Sequence, residues 1–510
     1  MFTTKKIASN TFYIFLNSIS TIVLSFLYFV IAGKLLTPSE YGITNSIIQF
    51  SFLITTFSNL GLNTTALKLV SEYYETKKMK KLYACIGYCF KVLLLTNIFV
   101  SIFIFFLSPY LARYIFRDQN SVSAFVVSSM IVFSYSLTYY FGSIIYGLGK
   151  VKIYFLTEFL VNLLKLILAI VLIIYFKLSF LGPLIGYLIG LIFSSVIRFK
   201  EIEFKYNGQV DKKIIWGYAL PALINASSSA ILTATPPIIL SSFSSTTEAG
   251  IFSLVSALSS LILLVPTVLY TASFPIFSGM YGKKDHKGIE KLLNLVLRYI
   301  LLLSLPISFI FIFYPEFIIK LVASPSYLPG SKALSIFGLV SLILGAGNLL
   351  LNVLYALGKP KLTRNIMITT LTIYLIFAIP LSIFYGAFGM ALTYLLATSV
   401  LFVLSSLFVK KFYEIKFNLR EFLKIISSSL FWSILVAIGN FINNSIYFFI
   451  IFNILGAFCY FFLLLIFKTF NVNDFKILNE FEKIFPTKLR FVFKFFKKIM
   501  KIGFSLSKKR

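Results

Sequence analysis

The sequence predicts an all-α polytopic membrane protein, with about fourteen transmembrane helices forming two parallel six-helix repeats and an extra C-terminal pair. Three observations lead there. Of 510 residues, 59% are hydrophobic and only 13% charged, against about 25% charged in soluble domains, and the mean hydropathy is +0.92. Apolar runs of roughly 20 residues, the length a helix needs to cross a bilayer, recur from Thr11 to Phe467 with short charged breaks. Pieces of the first half also return 207–209 positions later. The runs are continuous rather than alternating in and out, which favours helices over barrel strands.

Taken in order, spans are placed near residues 11–32, 41–60, 83–107, 122–146, 153–176, 179–197, 214–240, 249–279, 292–314, 332–357, 362–384, 387–409, 422–439 and 446–467. Lys5 and Lys6 precede an apolar stretch that continues to Ala32, too long for the core of a signal peptide, so it is read as the first span. The basic residues test the series. With charges in the first three residues of a span counted with the adjoining loop, the N-terminus, the even-numbered loops and the tail from Lys468 carry 38 of them, and the odd-numbered loops carry six: Lys34, Arg113, Arg117, Lys177, Lys320 and Lys332. By the positive-inside rule both termini face the cytoplasm of a cell (plasma) membrane. Arg198, one residue past the sixth span, is counted here as a loop charge. At Thr235-Pro236-Pro237 the two prolines are expected to break or kink the seventh span.

The net charge of +30 is topological, because no soluble basic domain exists to present it to nucleic acid. Cys85, Cys89 and Cys459 lie in apolar surroundings with no neighbouring histidine. They read as buried free thiols rather than zinc ligands, and neither metal nor cofactor is expected.

The repeat is clearest in Tyr146–Lys152 (YGLGKVK), which returns as Tyr355–Lys361 (YALGKPK). Glu40 and Gly42 return as Glu248 and Gly250, Lys91 and Arg113 as Arg298 and Lys320, and Gly182 and Tyr187 as Gly389 and Tyr394. An even number of spans per repeat gives both halves the same orientation, about an axis along the membrane normal. The chain then divides into an N-terminal lobe (1–205), a C-terminal lobe (206–415), extra helices 13 and 14 (416–468) and a basic tail (469–510). Two lobes of this kind imply a transporter working by alternating access.

Polar groups inside the spans are the functional candidates. Glu158, Asn162 and Lys165 follow one another at spacings of four and three, on one face of an otherwise apolar helix. Lys165 lies 13 residues beyond Lys152, or about 20 Å of helix rise, close to the bilayer midplane. A charge there costs about 2.5–3.5 kcal/mol even on the mild insertion scale, so it should face the bundle interior or water. Such a cation can hold a phosphate or pyrophosphate. Glu158, two turns toward the cytoplasm, is too far for a direct bond and would act on Lys165 through Asn162 or water. Lys91 and Arg298 occupy equivalent positions in spans 3 and 9 and fit a positive cytoplasmic vestibule, although either can also snorkel to the interface. Asn17 in span 1 and Asn225 in span 7 lie on equivalent hydroxyl-rich helices that could line a cavity. The second lobe has no counterpart of Glu158 and Lys165, whose positions fall on Met367 and Tyr374, so the site is expected to be lopsided.

Gly33-Lys-Leu-Leu-Thr-Pro-Ser-Glu-Tyr-Gly42, Asn59-Leu-Gly-Leu62 and Ser71-Glu-Tyr73 resemble the opening of the Wzx-like oligosaccharide flippases of the multidrug/oligosaccharidyl-lipid/polysaccharide exporter superfamily. The resemblance covers spans 1–12, and the extra pair matches the lipid II flippase branch. It implies V-shaped lobes and a flippase carrying a polyprenyl- or dolichyl-(pyro)phosphate-linked oligosaccharide to the outer leaflet, possible glycan-assembly enzymes being its partners. One departure is that no aspartate lies in any span, whereas the drug-exporting branch carries a carboxylate-rich cation site. A cation-coupled multidrug exporter is the alternative on the same fold. A membrane-embedded glycosyltransferase or polymerase would need clustered acids or metal ligands on a sizeable loop, and His286 is the single histidine. Finally, Lys488–Phe504 sets Leu489, Val492, Phe493, Phe496 and Met500 opposite Arg490, Lys494, Lys497, Lys498 and Lys501, an amphipathic basic helix suited to anionic inner-leaflet lipids.

Overall fold

The computed structural model describes residues 4–117, 121–204, 211–413, 419–443, 445–467 and 469, and no strand occurs among them. The amphipathic stretch expected at Lys488–Phe504 lies outside the described residues. The helices are α1 (Thr4–Leu35), α2 (Pro38–Ser58), α3 (Leu62–Glu75), α4 (Met79–Leu111), α5 (Val122–Gly147), α6 (Val151–Ile174), α7 (Leu181–Lys200), α8 (Lys212–Phe243), α9 (Thr246–Gly282), α10 (His286–Phe313), α11 (Pro315–Val322), α12 (Ser331–Ala356), α13 (Pro360–Lys410), α14 (Leu419–Ile442) and α15 (Ile446–Ile466). Among the described residues, eleven are long and apolar enough to cross a membrane.

Two features depart from the simplest reading of the spans. The prolines at 236 and 237 do not end α8, which runs on to Phe243. A proline at position 236 offers no N–H to the carbonyl of Leu232, and the Tyr394 hydroxyl donates to that carbonyl instead. The expected spans 362–384 and 387–409 fall in α13, which is divided at Gly386, where the backbone leaves the helical region at φ 55° and ψ −133°.

The chain forms two compact units. The first comprises the described residues up to Ala257, with Val322–Ala333 and Thr370–Ala397; the second comprises Leu258–Leu321, Leu334–Thr369 and the described residues from Thr398 on. In the second unit, α14 and α15 are tied to the preceding helices by two tyrosines. The Tyr314 hydroxyl donates to the Ser433 carbonyl at 2.6 Å and Tyr460 to the Leu302 carbonyl at 2.7 Å.

The repeated YGLGKVK/YALGKPK motif is a pair of helix stops. Gly149 and Gly358 adopt φ +73° and +68°, a left-handed conformation that glycine enters without a Cβ penalty. At each stop the following lysine N–H reaches back to the last turn, Lys150 to Ile145 at 3.0 Å and Lys359 to Leu354 at 3.1 Å. These are the long bonds of a Schellman cap, which satisfies carbonyls left over at the helix end.

Within the first unit α2 and the start of α9 cross with almost no side chain between them. A Cβ on Gly42 would lie 1.8 Å from the Thr246 carbonyl oxygen, and one on Gly250 1.8 Å from that of Pro38. The Ser39 and Thr246 hydroxyls bond across the crossing at 2.7 Å. The repeat-related acids anchor it: Glu40 closes a capping box with Thr37 and accepts from Ser179, and Glu248 accepts from the Ala387 N–H at 2.7 Å. These acids are helix-start chemistry, as their position near positive helix N-termini suggests.

Candidate functional site

Lys165 lies nine residues before the end of α6 and 14 after its start, about 14 Å and 21 Å of helix rise. The α6–α7 hairpin around it is closely packed. On α7, Gly186 has no side chain to hold the backbones apart, and a Cβ there would already touch Leu168 at 3.1 Å and the Lys165 carbonyl at 3.4 Å. The next residue, Tyr187, thereby faces Lys165. The ammonium lies 5.2 Å from the Tyr187 ring centroid and 4.0 Å from that of Tyr28 on α1. Cation–π contacts of this kind are favourable when desolvated, but they leave the charge itself unneutralised. Among the described residues no carboxylate lies within 4 Å of Lys165. Tyr28, 3% exposed, keeps a buried hydroxyl with no hydrogen-bond partner.

Glu158 is occupied by a different cation. Its carboxylate accepts from Arg198 at 2.7 Å, and the same guanidinium donates to Thr157 Oγ1 at 2.8 Å and to the Thr138 carbonyl at 2.7 Å. Arg198 is a residue of α7, 1% exposed, rather than a loop charge. The Asn162 amide does not bridge toward Lys165; it donates to the Glu158 main-chain carbonyl at 3.0 Å. Of the three polar groups on this face of α6, Lys165 is therefore set apart from a satisfied Glu158–Arg198 pair.

The repeat supplies an internal comparison. Offsets of 207–209 residues convert Tyr28, Lys165 and Tyr187 into Thr235, Tyr374 and Tyr394. There the Thr235 and Tyr374 hydroxyls bond at 2.8 Å, the Tyr374 and Tyr394 rings pack edge-on at 5.7 Å, and Tyr394 donates to the Leu232 carbonyl. The same interhelical position is thus closed by neutral hydrogen bonds in one repeat and holds a cation against aromatic rings in the other.

A cavity of about 300 Å³ in the first unit is linked to this cation through Tyr187, while Lys165 itself is not among its lining residues. Its wall includes Tyr187, Tyr135, Phe52, Gln49, Ser51 and Thr233. Neither Asn17 nor Asn225 lines it. Asn17 keeps a buried Oδ1 without a partner, and Asn225 is exposed on α8; the hydroxyl that α8 brings to the cavity belongs to Thr233 instead. Lys91 is exposed on α4. Its repeat mate Arg298 lies 3.5 Å from the Glu421 carboxylate of α14, and donates to the Thr469 carbonyl. The two cations expected as a symmetric pair therefore have different surroundings, one open and one engaged by the extra helices.

The sequence reading missed Arg198, Tyr135 and Tyr187 as site residues. The signal for Arg198 was Glu158 itself, since an acid placed inside a span needs a cation, and the end of the adjoining helix holds one. Cys85 and Cys89 are buried free thiols and Cys459 is half-buried and free. No cluster of three metal-ligating side chains occurs among the described residues.

A family model described as polysaccharide biosynthesis protein matches residues 7–281, and one described as MatE matches residues 221–384. An uncharacterized membrane protein of Methanocaldococcus jannaschii is 21% identical over 434 residues, covering 80% of this chain and 85% of that protein. Among solved structures, lipid II flippase MurJ in an inward closed conformation is similar with a TM-score of 0.74 at 20% identity, over 89% of this chain and 98% of that one. An inward-facing multidrug resistance MATE family transporter of the MOP superfamily gives 0.65 at 13% identity, over 76% and 94% of the two chains. At such identities the structural likeness is one of fold.

Proposed function

We propose that this membrane transporter, which belongs to the polysaccharide biosynthesis protein family of the MOP superfamily, flips a polyprenyl- or dolichyl-(pyro)phosphate-linked oligosaccharide from the cytoplasmic to the outer leaflet. One observation carries the reading: Lys165, about midway along its apolar helix, has no carboxylate within 4 Å among the described residues and packs on Tyr187, a residue that lines a cavity. A cation held between tyrosine rings without a carboxylate has its charge available for an anionic ligand. Phosphate oxygens would complete it with charge-assisted hydrogen bonds, the stronger class, while the lipid tail stays in hydrocarbon. Lys91 would attract the same head group from the cytoplasmic surface. Arg298, engaged by Glu421, is assigned to holding α14. A cation-coupled drug exporter would need a free acid in this lobe, and Glu158 is committed to Arg198.

In the proposed topology both termini are cytoplasmic, a reading supported by the strong excess of basic residues on that side of the spans, and the membrane is the plasma membrane. The repeats 1–205 and 206–415 are the moving lobes, 416–468 supplies the extra pair, and 469–510 rests on anionic lipid, a surface where glycan-assembly enzymes could dock.

The test is leaflet reorientation of a fluorescent polyprenyl-pyrophosphate glycan in proteoliposomes. Lys165→Ala is expected to slow it about 10- to 100-fold, the loss of one hydrogen-bonded charge contact, and Lys165→Arg to retain most of the rate. Unchanged transport by the alanine variant, with wild-type amounts of protein in the liposomes, refutes the assignment.

A further inference from the structure

The cavity that shares Tyr187 with Lys165 differs in character from a simple anion site. None of the residues named in its wall is charged, and three of them are aromatic: Phe52, Tyr135 and Tyr187. The rings form a connected, half-buried surface, with Tyr135 edge-on to Phe52 at 6.1 Å and tilted against Tyr187 at 6.5 Å. Polar groups interrupt this surface at intervals. The Tyr135 and Tyr187 hydroxyls and the Gln49 amide make no hydrogen bond among the described residues. Thr233 adds a main-chain acceptor, because Pro237 has no N–H to offer its carbonyl.

These features discriminate among occupants. A lipid chain gains nothing from an amide and free hydroxyls, which lose hydration against hydrocarbon. An aromatic cation would want a carboxylate on the wall. A pyranose ring has one face of C–H groups, which suits the electron-rich face of tyrosine, and a rim of hydroxyls, each able to donate and accept. Gln49 offers both roles, and the tyrosine hydroxyls offer both as well. About 300 Å³ is at the small end of ligand cavities, room for one sugar ring rather than a chain. Tyr187, which both lines the space and packs on the Lys165 ammonium, connects it to the cation.

We infer that this cavity is a sugar subsite, taking an uncharged pyranose next to the phosphate held by Lys165, with Tyr135 and Tyr187 as stacking platforms and Gln49 as the hydrogen-bonding group. The inference rests on the flippase reading of Lys165 and adds the chemistry that distinguishes one glycan from another. In the second repeat, Tyr394, the equivalent of Tyr187, commits its hydroxyl to Leu232. A matching platform is therefore not offered there.

The experiment compares the affinity of the full chain in nanodiscs for isoprenyl pyrophosphates carrying one hexose, one N-acetylhexosamine or no sugar. At least one sugar-bearing probe is expected to bind about tenfold tighter than the bare one. Tyr135→Leu and Tyr187→Leu should each remove most of that preference; Tyr135→Leu should leave the affinity for the bare probe unchanged, and Tyr187→Leu, which also takes a ring away from Lys165, is judged by the ratio of sugar-bearing to bare affinity. The Phe variants, which keep the rings, should retain it in large part. Lys165→Ala should weaken all three probes alike. A sugar preference that survives both leucine substitutions, or that is absent from the unaltered protein, overturns the subsite. Bare pyrophosphate that binds Lys165→Ala as well as the parent overturns the flippase reading of Lys165, and with it the placement of the sugar.

Discussion

Replacing Glu158 with alanine destabilises the protein by about 3–5 kcal/mol, the range for removing one partner of a buried ion pair. Arg198 is 1% exposed while Glu158 is 29% exposed, so the guanidinium is the member that cannot escape to water. Its other bonds, to Thr157 and the Thr138 carbonyl, hold it in place after the carboxylate is gone. Gly142 leaves the space it occupies, since a Cβ there would approach the guanidinium at 2.5 Å. Thermal unfolding of the purified protein in detergent measures the loss. The double variant Glu158→Leu/Arg198→Met should recover most of it, because an apolar pair of similar volume avoids burying charge at all. A single variant as stable as the parent would show that the pair is not what holds α6 to α7. Lys165→Ala behaves in the opposite sense: it removes an uncompensated charge and should leave stability equal or higher, so effects on transport and on folding separate along one helix.

The second large effect is expected at the crossing of α2 and α9. Alanine at either Gly42 or Gly250 places a Cβ 1.8 Å from a main-chain carbonyl oxygen, and neither backbone can turn aside as a side chain would. Overpacking costs about 1–3 kcal/mol, so the helices separate and the crossing is depopulated by about tenfold or more. Cysteines at positions 39 and 246, where the native hydroxyls are 2.7 Å apart, report on it. The pair Ser39→Cys/Thr246→Cys is expected to cross-link readily under mild oxidation, and the addition of Gly42→Ala to suppress the cross-link. Equal yields with and without the alanine would mean that the close approach is dispensable.

Both predictions depend on features that one-dimensional patterns report unevenly. Helix membership was legible because an unbroken apolar run of spanning length matches the thickness of a bilayer and exceeds what a buried core strand or signal peptide requires. The motifs around Gly149 and Gly358 were legible as a repeat lying between spans, whereas their role as left-handed helix caps became visible only in the backbone. Lys165 stood out for a similar reason, being the one cation deep in its span. Arg198 was hidden because a basic residue near a span's end normally belongs to the interface, and only the depth of α7 shows it turned inward. Tyr135 carried no signal and Tyr187 only that of a repeat match, since tyrosine in an apolar helix suits core and bilayer interface equally. Which rings share a cavity depends on the pairing of α2, α5 and α7, and that is fixed by helix packing rather than by spacing along any one of them.

The neutral Thr235–Tyr374–Tyr394 cluster bears on how a duplicated chain diversifies. Two copies of one helical plan begin with identical obligations at every joint. Once one copy keeps a joint fastened by hydrogen bonds, the corresponding joint in the other is released from that duty and can acquire a charge whose insertion the fold would otherwise not tolerate. The three positions Tyr28, Lys165 and Tyr187 of the first copy are then open to change without loosening the fastening that its sibling preserves.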